Sequence, residues 1–329
     1  MFKAIRNPDI YHGKNKKSIF FEGWYFKIVQ PYTGNTYCFI PGLFISNKKG
    51  FSHSFIQVLK GNENNFKYLR FMKDEFKASK SEFNLNVGES SFSINAINLN
   101  ISQQNEKIFG TLYFDNIIKW PDSIINPGSM GFYNYLGFMQ CYSQVCANDG
   151  TVRGKLCING KDIDFTGGKL YIEKNWGKAF PYSYIWVQGN SFENGDGAVT
   201  CSIGHVPLPF KLKSFTGFLI GVYVKGRFYK FTTINRSNLL INCENEKIIL
   251  ETYNKKYSLK IEGSYKEEDF MKLYAPCNGS MIPIASETLH GDLKVMLHDK
   301  KRNCIIFNDT CTSSGIEFSK DYMNLVDRY

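Results

Sequence analysis

Short segments in which apolar and polar residues alternate run through most of the chain, and turn-forming residues separate them. Successive side chains of a strand point to opposite faces, so this two-residue period predicts β-strands. Clusters such as Asn-Gly and Asn-Asp-Gly between the segments favour tight turns and antiparallel pairing. The segments that we expect to form strands are 23–30, 36–45, 52–60, 91–101, 107–115, 183–190, 198–205, 215–224, 227–234, 247–253 and 256–262. Short helical turns are expected near 123–137 and 266–271.

The two halves of the chain are similar in outline. Each opens with an aromatic segment that contains a glutamate and a Gly–Trp or Trp–Gly pair, and each then continues through many strands. These segments are FFEGWYF at 20–26 and YIEKNWGKAFP at 171–181. The pattern predicts an all-β protein built from two antiparallel barrel or sandwich halves that pack together. We place the halves at 1–165 and 166–329.

The strand that follows Phe20 has one face that is apolar except for a single carboxyl group. This face carries Glu22, Trp24, Phe26 and Ile28. Burial among aromatic rings raises the pKa of a carboxyl group, which is the property required of a general acid near neutral pH. The alternative is structural, with Glu22 bonded to an inward lysine or to backbone amides.

The segment 171–181 carries the second candidate acid. In an extended conformation its side chains divide into one face with Tyr171, Glu173 and Asn175 and an opposite face with Ile172, Lys174 and Trp176. Glu173 is therefore a candidate catalytic residue, and Asn175 is a candidate polar partner. Surface charge for Glu173 and turn capping for Asn175 are the alternatives.

Two further strands have faces that mix rings with amides or imidazole. In 183–190 this face carries Tyr184, Trp186, Gln188 and Asn190. Such a face is typical of a pocket wall for a flat, oxygenated ring, because amides buried in a core need partners. In 52–60 the corresponding face carries His53, Phe55 and Gln57, which in the alternative interpretation satisfy local backbone groups.

Composition narrows the class of protein. Of the 329 residues, 43% are hydrophobic and 16% aromatic, which favours a globular β protein with apolar cavities. The net charge of +10 is scattered, so we expect a lysine-rich solvated surface rather than nucleic-acid binding, with weak peripheral membrane contact as an alternative. Nine dispersed cysteines without a C-x-x-C pair, and no apolar run of membrane-spanning length, indicate a reduced, cytoplasmic setting. The five histidines show no metal-ligand spacing.

Several motifs in order along the chain resemble the tocopherol cyclase family. They are FFEGWYFKI, WP…PGSMGFY…FMQCYS, DFTGGKLYIEKNWGKAFP, YIWVQGN, TCSIGHVPLP and LYAPCNGSM…ETL…SSGIEF. The resemblance extends over almost the whole chain. Two departures from the family pattern are Ser143, where many relatives have histidine, and Gly189, where a bulkier residue is usual.

The resemblance implies lipocalin-like halves and a cofactor-independent isomerase that closes a chromanol-type ring on a prenylated phenol or hydroquinone. An acid protonates the alkene of the prenyl tail, and the phenolic oxygen captures the cation, which aromatic ring faces stabilise. A carrier of an isoprenoid, quinone or lipid is the alternative. We expect catalytic roles for Glu22, Glu173 and Asn175, and substrate contacts for Trp24, Phe26, His53, Gln57, Tyr142, Trp176, Trp186, Gln188 and Asn190.

Overall fold

Strands dominate the computed structural model, which describes residues 2–195, 197–207 and 214–327. The helical structure in these residues is one short helix, α1 (Phe2–Arg6), and 3-10 turns at Gly61–Glu63, Lys73–Glu75, Gly131–Tyr135, Glu267–Asp269 and Tyr322–Leu325. The helical turns expected within 123–137 and 266–271 are confirmed as two of these 3-10 turns. No helix among the described residues is long and apolar enough to cross a membrane.

The first sheet has 13 antiparallel strands. They are β1 (Phe20–Val29), β2 (Thr36–Ile45), β3 (His53–Lys60), β4 (Asn65–Phe71), β5 (Phe76–Ala78), β6 (Asn84–Val87), β7 (Ser90–Ser93), β8 (Ala96–Gln103), β9 (Glu106–Ile118), β10 (Cys141–Ala147), β11 (Asp149–Ile158), β12 (Lys161–Asp164) and β13 (Gly168–Gly177). Their order is β4-β3-β2-β1-β13-β11-β9-β8-β7-β6-β5, with β10 beside β13 and β12 beside β11. The first strand of the sheet in sequence, β1, therefore pairs directly with the last, β13.

The core of the first sheet follows from the alternation in the sequence. In β8, Ile97, Leu99 and Ile101 are buried, whereas Asn98 and Asn100 between them are exposed. Burial of each such aliphatic side chain contributes about 1.5–3 kcal/mol relative to its exposure, which fixes the face that β8 turns inward.

The second sheet has ten strands and a separate core of aliphatic and aromatic side chains. The strands are β14 (Tyr184–Gly189), β15 (Gly197–Val206), β16 (Phe215–Val224), β17 (Arg227–Thr232), β18 (Asn238–Glu244), β19 (Lys247–Tyr253), β20 (Tyr257–Ser264), β21 (Met271–Cys277), β22 (Ser280–Asp299) and β23 (Cys304–Phe318). Their order is β17-β16-β15-β14-β23-β22-β20-β19-β18, with β21 beside β22. The predicted all-β class with two antiparallel halves is confirmed.

The chain forms two compact units that do not divide at a single point. Unit 1 is Met1–Phe180 with Tyr274–Pro283, and unit 2 is Pro181–Leu273 with Ile284–Tyr329. The expected division at 165 and 166 differs from this one, because β13 pairs with β1 and β11 in the first sheet. The segment Tyr274–Pro283 lies in the second half of the sequence and nevertheless belongs to unit 1.

Strand bounds are predicted well where the alternation is unbroken. The bounds of 36–45, 215–224 and 247–253 are those of β2, β16 and β19. The single strand predicted at 91–101 is wrong, because β7 ends at Ser93 and β8 begins at Ala96. The hydroxyl of Ser93 accepts hydrogen bonds from the backbone N–H groups of Asn95 and Ala96, and this local bonding stabilises a turn instead of an extended chain.

Candidate functional site

The two candidate acids lie on opposite faces of the first sheet. In the pairing of β1 with β13, Glu22 is opposite Trp176 and Tyr25 is opposite Glu173. Residues directly opposite each other in an antiparallel pair share a face, and Glu22 and Tyr25 have different parity on β1. We therefore distinguish the Glu22 face, which also carries Trp24, Lys174 and Trp176, from the Glu173 face, which also carries Gly23, Tyr25 and Asn175.

On the Glu22 face, the carboxylate is fully buried and fully bonded. The Nζ atom of Lys174, also fully buried, lies 2.6 Å from Glu22 Oε1. The backbone N–H groups of His12 and Gly13 donate to Glu22 Oε2 at 2.9 and 3.0 Å. The structural alternative for Glu22, an inward lysine together with backbone amides, is the arrangement that the structure shows.

Lys174 also binds the segment that precedes the first strand. Its Nζ donates to the carbonyl oxygens of Pro8, at 2.9 Å, and of Ile10, and it lies 2.8 Å from His12 Nδ1. His12 Nε2 lies 3.2 Å from the carbonyl oxygen of Ala4, which can only accept, so Nε2 carries the proton. In the neutral imidazole Nδ1 is then the acceptor for Lys174.

The charges in this cluster follow from burial and proximity. Burial alone raises the pKa of Glu22, but the ammonium of Lys174 outweighs it and holds that pKa below its usual value. Burial lowers the pKa of Lys174, although Glu22 opposes this effect. Burial and the neighbouring ammonium lower the pKa of His12. The raised pKa expected for Glu22 is therefore wrong, because a fixed cation compensates for its desolvation.

Two of the predicted substrate contacts, Trp24 and Trp176, lie against Lys174 instead. Its ammonium lies 5.0 Å from the ring centroid of Trp24 and 4.7 Å from that of Trp176, both within cation–π range. Trp176 stacks on the His12 ring at 4.1 Å and on the Tyr142 ring at 5.3 Å. Phe26 is completely buried in the core of unit 1.

On the Glu173 face, three side chains donate hydrogen bonds to one carboxyl group. The hydroxyls of Ser143 and Tyr171 donate to Glu173 at 2.7 and 2.6 Å, and Asn175 Nδ2 donates at 3.3 Å. Glu173 itself is only 4% exposed. These bonds confirm that Tyr171, Glu173 and Asn175 share a face, as predicted. Ser143 was not predicted as a site residue, although its departure from the family pattern had marked it.

The surroundings of Glu173 combine burial with access. Tyr25 lies directly across from Glu173, and its ring meets that of Tyr171 edge to face at 6.4 Å. Tyr25, Ser143 and Asn175 are partly exposed, whereas Lys27 is buried opposite Tyr171 on the same face. Burial and the proximity of Glu173 raise the pKa of the Cys141 thiol, which keeps it neutral. The arrangement places a carboxyl group at the base of a partly open face that carries hydroxyl and amide groups.

The predicted contacts on β3 are both occupied by neighbouring groups of unit 1. His53 Nδ1 lies 2.7 Å from the carbonyl oxygen of Phe51, so the hydroxyl of Tyr68 donates to Nε2 at 2.6 Å. Gln57 bonds both backbone groups of Tyr274, accepting from N–H at 3.0 Å and donating to C=O at 3.1 Å. His53 and Gln57 share the Glu173 face, because His53 is opposite Phe44 and Phe44 is opposite Phe21.

The remaining predicted contacts, Trp186, Gln188 and Asn190, lie in unit 2 and are buried. Trp186 is opposite Glu317 on β23, and Glu317 is opposite the buried Glu287 on β22. These two glutamates were not among the predicted site residues. The motifs ETL and SSGIEF contain them, so the resemblance held a signal that the face analysis did not use.

The hydroxyl of Tyr184 donates to Glu317 at 2.5 Å, which adds a further polar contact to this part of unit 2. In the described part of the chain, no group of three or more His, Cys, Asp or Glu side chains is arranged to hold a metal ion.

Comparison with known proteins places the chain in a family. A family model described as tocopherol cyclase-like matches residues 103–319, which is more than half of the chain. The rice protein named "Probable tocopherol cyclase, chloroplastic" (Oryza sativa subsp. japonica) is 26% identical over 168 residues, covering 50% of this chain and 36% of that protein. The chloroplastic tocopherol cyclase of Zea mays is 26% identical over 170 residues, covering 50% and 35%. The chain thus spans about a third of the length of these relatives.

A solved structure has a similar fold. The crystal structure of CghA with Sch210972 aligns with a TM-score of 0.54 at 8% sequence identity, covering 92% of this chain and 88% of that chain. At this identity the similarity shows the fold alone.

Proposed function

The chain belongs to the tocopherol cyclase-like family, and on this premise we propose that it is a cyclase that closes an oxygen-containing ring on a prenylated phenol or hydroquinone. Glu173 is the proton donor in this proposal. The observation that carries the assignment is the Glu173 carboxyl group, buried but bordered by the partly exposed side chains of Tyr25, Ser143 and Asn175.

The reaction balances without an oxidant or reductant. The Glu173 carboxyl proton adds to the less substituted alkene carbon of the prenyl tail, and the other alkene carbon becomes a tertiary cation. An oxygen lone pair of the neighbouring phenol then forms the new C–O bond. The phenolic proton returns to the Glu173 carboxylate, which restores the acid. The ring of Tyr25, which is partly exposed and lies directly across from Glu173, is available to stabilise the cation.

The contacts of Glu173 position the carboxyl group for this transfer. Asn175 Nδ2 donates to Oε1, whereas the hydroxyls of Ser143 at Oε1 and Tyr171 at Oε2 can either donate or accept, so both oxygens keep a partner when the group carries its proton. Fixing a reacting group in this way removes reorganisation from the chemical step. Glu22 has no comparable role, because its two oxygens bond Lys174 and backbone amides in the interior.

Turnover in D₂O with a 2-prenylhydroquinone tests the proposal. Cyclisation should give a chromanol with one deuterium on the carbon that was protonated, detected as a one-unit mass increase. Glu173→Gln should lower kcat by about 10²–10⁴-fold, since general acid catalysis contributes that much. Glu82→Gln, which changes an exposed carboxylate of unit 1, is the matched control and should leave turnover unchanged.

Two results contradict the proposal. If the wild-type protein binds the hydroquinone and forms no ring, it is not a cyclase for this class of substrate. If Glu173→Gln retains full turnover and a normal fold, another group donates the proton.

The alternative function is a carrier that binds an isoprenoid, quinone or lipid without chemistry. One observation favours it, namely that Glu22, the other predicted acid, is held as a carboxylate by Lys174. Mass spectrometry of a co-purified ligand, before and after incubation, separates the two functions. If the co-purified ligand is a prenylated phenol and its mass spectrum is the same before and after incubation, the carrier is supported.

A further inference from the structure

Two neighbouring turns at one end of unit 2 concentrate positive charge. The turn between β19 and β20 carries Lys255 and Lys256, and the turn between β22 and β23 carries Lys300, Lys301 and Arg302. All five side chains are exposed. The two turns are adjacent because β20 pairs with β22. These five residues form the basic end of unit 2.

Hydrogen bonds join the two turns. The backbone N–H group of Lys300 donates to the carbonyl oxygen of Lys256 at 2.9 Å, and Lys300 Nζ donates to that of Asn254 at 3.1 Å. The carboxylate of Asp299 accepts from two backbone N–H groups of its own turn. The backbone of the basic end is therefore ordered before a partner binds, which reduces the entropy lost on binding.

The charge of the basic end is not neutralised by ion pairs. In segments 253–257 and 299–305 the only acidic residue is Asp299. No ion pair to the five cations occurs in the part of the chain that the structure describes. The turn between β16 and β17 adds a further cation, since Lys225 Nζ donates to the carbonyl oxygen of Ile306 at 3.0 Å. A surface with this excess of one charge attracts an anionic partner.

Two exposed apolar side chains border the basic end. Tyr253 is 41% exposed and Ile305 is 57% exposed. Tyr253 is opposite Ser258, and Ser258 is opposite His298. Ile305 is also opposite His298, so Tyr253 and Ile305 lie on one face of the sheet. Three strand spacings separate them, which is about 14 Å. An aromatic and an aliphatic side chain thus flank the same group of cations.

Cations beside exposed apolar side chains suit a lipid surface better than a nucleic acid. Lysine and arginine bind anionic headgroups, and an aliphatic side chain such as that of Ile305 gains free energy where headgroups meet acyl chains. Tyrosine is enriched at the same boundary. Proteins that bind single-stranded nucleic acid instead offer ring faces to the bases. The ammonium of Lys300, 5.3 Å from the ring centroid of Tyr253, already lies over that ring.

We propose that the basic end of unit 2 binds an anionic membrane surface. The five cations contact the lipid headgroups, and Tyr253 and Ile305 enter the interfacial layer. The site is independent of the cyclase proposal, because its residues all lie in unit 2 and it is tested by binding and not by turnover.

Co-sedimentation of the full chain with lipid vesicles tests the role of charge. Vesicles of phosphatidylcholine with phosphatidylglycerol should bind the protein at least about tenfold more tightly than vesicles of phosphatidylcholine alone, because each cation near an anionic surface strengthens binding about fivefold. Raising the ionic strength from about 0.1 M to about 1 M shortens the Debye length from about 10 Å to about 3 Å and should release the protein.

Variants assign the binding to the basic end. Lys255→Gln combined with Lys256→Gln should weaken binding to the anionic vesicles roughly 25-fold, at about fivefold for each charge removed. Lys48→Gln combined with Lys49→Gln removes the same charge from an exposed turn of unit 1 and should leave binding unchanged. Thermal unfolding of each variant checks the fold. Lys301→Gln, with an expected loss of about fivefold, serves if the first double variant does not fold.

A separate pair of variants tests the apolar contact. Ile305→Ser should weaken binding to the anionic vesicles about three- to tenfold, because its side chain no longer enters the interfacial layer. Ile124→Ser changes an exposed isoleucine of unit 1 and is the matched control. Equal affinities of these two variants would contradict the apolar part of the proposal.

Three outcomes overturn the assignment to a membrane surface. The first is equal binding to the anionic and the neutral vesicles. The second is equal affinities of the Lys255/Lys256 and Lys48/Lys49 double variants. The third is tighter binding to a DNA or RNA oligonucleotide than to the anionic vesicles, lost in the Lys255/Lys256 variant, which would assign the basic end to nucleic acid.

Discussion

Replacing Glu22 by glutamine should destabilise unit 1 without acting on the chemical step. The substitution keeps the shape of the side chain and one acceptor for the backbone N–H groups of His12 and Gly13. It removes the negative charge that lies 2.6 Å from the ammonium of Lys174. Lys174 is fully buried, so its charge then loses its direct ion-pair partner in the protein interior.

The expected cost follows from the contacts of Lys174. Coulomb's law at 2.6 Å, with an effective dielectric constant of about 20, gives an attraction of roughly 6 kcal/mol, which the desolvation of both groups offsets in part. Removing one partner of a buried ion pair typically costs about 3–5 kcal/mol. Lys174 retains the carbonyls of Pro8 and Ile10 and the imidazole of His12, so we expect about 3 kcal/mol. In a domain of 150–250 residues this lowers Tm by roughly 6–12 °C.

Thermal unfolding and hydrogen exchange together measure this effect. Peptides from β1 and β13 should lose protection in the Glu22→Gln protein, while peptides from β16 to β20 keep it. Glu82→Gln is the control for the loss of a carboxylate at an exposed position. The double variant Glu22→Gln with Lys174→Met should regain part of the stability, because it removes the unpaired charge as well.

The reasoning fails if Glu22→Gln is as stable as the control. It also fails if that variant loses turnover at unchanged stability, because Glu22 would then act as the acid and not as a structural counter-ion.

Two further predictions concern pH and backbone conformation. Burial lowers the folded-state pKa values of His12 and His53. Below the unfolded value of 6.5 the unfolded chain therefore binds more protons than the folded chain, and the free energy of unfolding decreases as pH falls. The decrease is up to about 1.4 kcal/mol per pH unit for each proton. Urea midpoints between pH 7.5 and 5 should show this slope, His12→Gln should reduce it, and a slope of the opposite sign would contradict it. Gly177→Ala should cost about 1–3 kcal/mol, because φ is +150° there and a Cβ atom would lie 2.3 Å from a backbone carbonyl oxygen. Gly137→Ala, at which a Cβ meets nothing within 4 Å, is the control in thermal unfolding, and equal losses in both variants would refute the steric explanation.

Much of the local structure was predictable because strand alternation is a local property. The sharing of one face by Tyr171, Glu173 and Asn175 follows from the two-residue period, and the hydrogen bonds to Glu173 confirm it. The same period placed Lys174 on the apolar face of segment 171–181 and Glu22 on the apolar face of the strand that follows Phe20. A charged group on an apolar face requires a partner, so the sequence held the signal for a buried ion pair.

The sequence by itself therefore determined the all-β class, the bounds of several strands and the faces of individual strands. Only the tertiary structure decided which faces meet. Glu22 and Lys174 are separated by about 150 residues in sequence, and the register of β1 on β13 brings them together. That same register places Glu173 on the opposite face, where β10 supplies Ser143. Long-range packing sets the register, and local alternation does not. A shift of one residue in the pairing would exchange these faces, so the alternation alone did not determine which carboxylate is structural and which borders an open site.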